Sequence, residues 1–106
     1  MQLDIGMVDV PVSGTRVRLS TSSGIGVNDR VLWAQFKGKP TNTGTVYVGI
    51  SAVTTTHGFP LENNDDIGLI INFRHELNGA VKAGDFYFDA ATSGDDVVFA
   101  LVLEKK

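Results

Sequence analysis

At 106 residues the chain has room for one hydrophobic core and one domain, and its 42% hydrophobic and 20% charged content is that of a globular chain, not a disordered one. Net charge is −3, and the nine basic residues are scattered with no run longer than Lys105-Lys106, so no nucleic-acid partner is expected. The absence of cysteine removes disulfides, zinc–thiolate sites and thiol catalysis, and no apolar run approaches the roughly 18–20 residues that span a bilayer.

The first segment, MQLDIGMVDVPV, has early acids and no basic n-region, so a signal peptide is not expected and synthesis in the cytoplasm is. Leu3, Ile5 and Met7 alternate through it until Pro11 and Ser13-Gly14 end it, which reads as an edge strand or extended arm over residues 1–13. A β-sandwich domain over residues 14–106 follows. TRVRLS places Val17 and Leu19 on one face and Arg16, Arg18 and Ser20 on a wet one. After the loop TSSGIGVND, RVLWAQFKGK puts Leu32, Ala34 and Phe36 on one side and Val31 and Trp33 on the other, with Trp33 read as core packing.

KPTNTG is a turn, and TVYVGIS directs Val46, Val48 and Ile50 inward and Tyr47 outward. Gly58-Phe59-Pro60-Leu61 forms a corner, and the polar turn ENNDD leads to IGLIINF, with Ile67, Leu69, Ile71 and Phe73 on one face. RHELNGAVKAG contains Asn78-Gly79, a hairpin signal that favours a two-strand excursion or long loop over a helical turn at His75–Leu77. DFYFDAATSGDD supplies Phe86 and Phe88 to one face and ends in a turn. The last strand has seven consecutive apolar residues, 97–103, so it needs cover on both faces: it is a central strand under a loop, or a subunit interface.

No segment shows a helical period, and strands recur roughly every 10–14 residues, which predicts an all-β chain: a single small β-sandwich or jelly-roll-like barrel of about 7–9 short antiparallel strands. No catalytic motif stands out. There is no G-x-S-x-G elbow, and GIGVN is not followed by a helix that would make it a phosphate cradle. His57 and His75 share no metal-type spacing with a further ligand, and His57 reads as a surface or subunit-contact residue. Asp65-Asp66 and Asp95-Asp96 lie where turns need acids and outside any calcium-loop pattern. Neither an enzyme nor a cofactor or metal is expected.

Three segments in order carry a resemblance: GTRVRL (14–19), NTGTVYVGISAVTTTHGFPL (42–61) and DFYFDAATSGDDVVFALV (85–102). Together they resemble a pattern common among small tailed-bacteriophage virion proteins of the capsid decoration (cement) or head-associated β-sandwich kind. The chain departs from that pattern by inserting RHELNGAVKAG, and its first thirteen residues lie outside it.

The resemblance implies a structural virion protein on the capsid exterior that binds and stabilises the major capsid protein lattice, assembled as a homotrimer, with no membrane partner. On that reading Leu3, Ile5 and Met7 are the expected capsid contacts, and Val98, Ala100 and Val102 the expected self-association residues. The alternative is a carbohydrate- or host-surface-binding module of a phage head or tail fibre, or a tail or head-completion adaptor. Its ligand face would be Tyr47, His57 and Tyr87, although the two tyrosines read equally as an aromatic cross-strand pair or a subunit contact.

Overall fold

The computed structural model describes residues 2–19, 25–63, 67–72 and 81–104. Eight strands run in chain order: β1 (Gln2–Asp9), β2 (Val17–Arg18), β3 (Val31–Gly38), β4 (Val46–Gly49), β5 (Phe59–Leu61), β6 (Leu69–Asn72), β7 (Tyr87–Ala90) and β8 (Asp96–Leu103). A 3-10 turn, Ala83–Asp85, leads into β7. The strands form two four-stranded antiparallel sheets, ordered β1-β8-β3-β6 and β2-β7-β4-β5. First pairs with last, second with seventh, third with sixth and fourth with fifth. The chain is thus one long hairpin rolled into two layers, the winding of a jelly roll.

Period-2 alternation decides what the layers enclose. Val97, Phe99, Leu101 and Leu103 of β8 point inward and are buried, as are Ala34 and Phe36 of β3, Val46 and Val48 of β4, and Phe88 and Ala90 of β7. Phe36 bridges the layers, its ring 5.0 Å from Phe86 and 5.5 Å from Phe88. Both contacts are tilted or edge-on, the arrangement aromatic quadrupoles favour.

Four sequence expectations change. The β3·β8 register slips between Val31 and Trp33, a bulge in which Leu32 is the extra residue. Val31 therefore enters the core, Leu32 is buried outside the main cluster, and Trp33 lies on the outer face beside Val102 and Asn72 instead of in the core. Ile50 does not point inward: β4 ends at Gly49, Val53 takes the buried position in the following turn, and Ile50 is 66% exposed. Ile67 is likewise exposed, because Gly68 at φ +71° redirects the chain before β6 begins. A Cβ at Gly68 would collide with the Phe36 carbonyl oxygen, so only glycine fits there. Phe59–Leu61, read as a corner, is strand β5. Phe73, His75 and the Asn78-Gly79 hairpin signal lie outside the described residues, as do Asp65 and Asp66.

Candidate interaction surface

The outer face of the β1-β8-β3-β6 sheet gathers residues that are far apart in the chain. Register places Leu3 opposite Val102, Ile5 opposite Ala100 and Met7 opposite Val98. On the other side of β8, Val102 faces Trp33, Ala100 faces Gln35 and Val98 faces Lys37. Ile70 and Asn72 of β6 complete the rows opposite Gln35 and Trp33. Leu3, Ile5 and Met7 are 60%, 69% and 54% exposed, and Ile70 is 47% exposed. Val98, Ala100 and Val102 lie between these neighbours and are half-buried. The expected capsid contacts and self-association residues are therefore one continuous apolar surface, not two.

Polar groups bound the β1–β8 part of this surface, Gln35 standing between Ala100 and Ile70. The Gln35 side chain donates to the Ile67 carbonyl at 2.7 Å, and Lys37 closes the Met7–Val98 row. Beyond that row Asp9 stands opposite Asp96, and Lys39 Nζ lies 3.5 Å from the Asp96 carboxylate. Loss of water around the Asp9 carboxyl, and then its hydrogen bond to Asp96 and the Asp96 charge, raise Asp9 above the ordinary carboxylate value. An apolar centre with a polar rim is the anatomy of a protein–protein contact.

The three motifs behind the resemblance meet at one end of the sandwich, where their polar residues bind backbone. Asp95 is buried and accepts from Thr43 N at 3.0 Å and Gly44 N at 2.8 Å, so the β7–β8 turn grips the β3–β4 turn. Asn42, also buried, donates to the Asp96 carbonyl and accepts from Asp96 N. Asp89 accepts from Gly14 N and Ala90 N, while Ser13 Oγ donates to the Ala90 carbonyl. A side chain on Gly44 would crowd Thr92 Oγ1, which accounts for glycine in the Asn-Thr-Gly turn. This corner is structural: its carboxylates are already occupied by N–H groups that burial would otherwise orphan. Among the described residues, no three of His, Cys, Asp and Glu gather where they could hold a metal ion.

Of the alternative ligand set, Tyr47 and Tyr87 share the outer face of the second sheet as diagonal neighbours, Tyr47 opposite Asp89 and Tyr87 opposite Gly49. His57 is exposed in a turn where its backbone pairs with Thr54. The ring of Tyr87 is contacted by the guanidinium groups of Arg16 and Arg18. Arg16 and Arg18 are surface residues to which the sequence assigned no role, and Trp33, expected in the core, is a third. Alternation had placed both arginines on a wet face; the missing information was which strand lay alongside.

Comparison of the chain with protein-family models, curated proteins and solved structures finds no match. Among the described residues no helix is long and apolar enough to cross a membrane.

Proposed function

We propose that the protein is a structural, non-enzymatic component of a phage virion, a capsid decoration protein that docks on the major capsid protein lattice through the outer face of the β1-β8-β3-β6 sheet. The motif resemblance supplies the class of particle. The observation that carries the docking is the exposed apolar surface of Leu3, Ile5 and Met7 with Val98, Ala100 and Val102 of β8 beside them. Monomeric proteins rarely leave so contiguous an apolar area to water, and burying it would supply the binding free energy. A face meets one neighbour at a time, so we assign this one to the capsid lattice. A cyclic trimer is then closed by other surfaces.

The test is to add the protein to undecorated capsids and measure what co-sediments. Ile5→Asp should weaken binding by at least about thirtyfold, as expected when ~2 kcal/mol is lost near an interface centre. Thr56→Asp, in the turn between β4 and β5, should bind like wild type. Wild-type binding by both Ile5→Asp and Trp33→Asp would remove this face from the mechanism.

A further inference from the structure

On the sheet opposite the docking face, two guanidinium groups approach one aromatic ring, and neither has a carboxylate partner among the described residues. Arg18 of β2 is directly opposite Tyr87 of β7, and Arg16 precedes it by two residues on the same side. Their Cζ atoms lie 5.5 Å and 5.6 Å from the Tyr87 ring centroid. Arg18 Nε donates to the Gly84 carbonyl at 2.8 Å, which fixes the plane of that guanidinium and leaves its remaining N–H groups available. Neither Asp85 nor Asp89, the acids on either side of Tyr87 in the chain, forms an ion pair with either arginine. Asp89 accepts from Gly14 N and Ala90 N, and Asp85 accepts from Lys82 N.

Two cations sharing one ring repel each other, in a chain whose overall charge is −3. Cation–π attraction holds them in place, and an oxyanion bound between them would relieve the repulsion and accept from both planar forks. The same three residues line a trough along β2 together with Gly14, Thr15 and Val17, and Arg18 and Tyr87 continue into the apolar hollow at the end of the sandwich. A lone inorganic ion would use only the guanidinium end of this trough. A sugar ring carrying the acid would also cover the rest of the trough, whose lining includes Thr15 and Tyr87.

We propose that Arg16, Arg18 and Tyr87 form a binding site for an anionic saccharide, recognised through a carboxylate or phosphate group on the sugar. The site does not depend on the docking face, so either can fail without the other.

Titration of the intact protein, followed by amide NMR shifts, tests this with four probes: trigalacturonate, glucose 6-phosphate, neutral maltotriose and inorganic phosphate. The expected result is saturable binding of trigalacturonate or glucose 6-phosphate, weakened by salt, with shifts centred on residues 14–18 and 87. The first two probes distinguish a carboxylate source from a phosphate source. Arg16→Gln, whose exposed side chain makes the folded state easy to retain, should weaken binding about tenfold or more, and Arg18→Gln likewise. Failure of both acidic sugars to bind overturns the proposal, as does unchanged binding by folded Arg16→Gln. Equally tight binding of inorganic phosphate, or of maltotriose, overturns it too, since the first leaves an adventitious ion only and the second makes the charge irrelevant.

Discussion

Asp9 and Asp96 face each other across β1 and β8, and like charges directly opposite in an antiparallel pair destabilise it. Lys39 offsets the Asp96 charge in part. Because the carboxyl of Asp9 is raised above its unfolded value, its ionised form is disfavoured in the fold. The pair therefore weakens the native state at pH above the raised value, and that penalty disappears as protonation proceeds on acidification. Asp9→Asn should raise the urea midpoint at neutral pH, with the gain over wild type closing as pH falls through the carboxylate range. Equal midpoints at neutral pH would show that the pair carries no strain. The sequence displayed both acids but not their opposition, since they lie at nearly opposite ends of the chain and only pairing makes them neighbours.

Asp95 acts at the scale of elements. Its carboxylate joins the β7–β8 turn to the β3–β4 turn through Thr43 and Gly44, and Val10 N–H donates to its carbonyl from the end of β1. Asp95→Ala removes the acceptor from two partly buried N–H groups, and should lower stability by about 2 kcal/mol, measured by denaturant unfolding. Asp95→Asn, which keeps one acceptor oxygen, should lose less. Strand order was partly legible at this scale: the apolar run 97–103 pointed to a central strand under a loop or to a subunit interface, and β8 does lie centrally, between β1 and β3. Bulges and strand ends were not legible. Nothing in RVLWAQFKGK says that an extra residue enters at Leu32, because a bulge is a property of two strands together.

For the whole molecule, the proposed docking face and the proposed saccharide site occupy opposite outer surfaces of the sandwich. On a particle this arrangement would turn Arg16, Arg18 and Tyr87 away from the lattice. The resemblance implies a homotrimer, and light scattering should then give about three times the 11.4 kDa of one chain. Ile5→Asp should leave that mass unchanged while losing capsid binding. A variant that falls to the monomer mass would instead identify the apolar face as the self-association surface.

The sequence by itself determined that this is an all-β chain, and it grouped core side chains such as Ala34 with Phe36, Val46 with Val48 and Phe86 with Phe88, because the alternation of apolar residues along a strand is local. It also marked the polar turns, whose Asn, Asp and Gly residues are required by backbone geometry within a few positions. Only the tertiary structure decided that Leu3, Ile5 and Met7 lie beside Val102, Ala100 and Val98, that Trp33 faces outward, and that two arginines share the ring of Tyr87. Those relations depend on the register between strands distant in sequence, and a one-residue slip would have moved every one of these side chains to the other face.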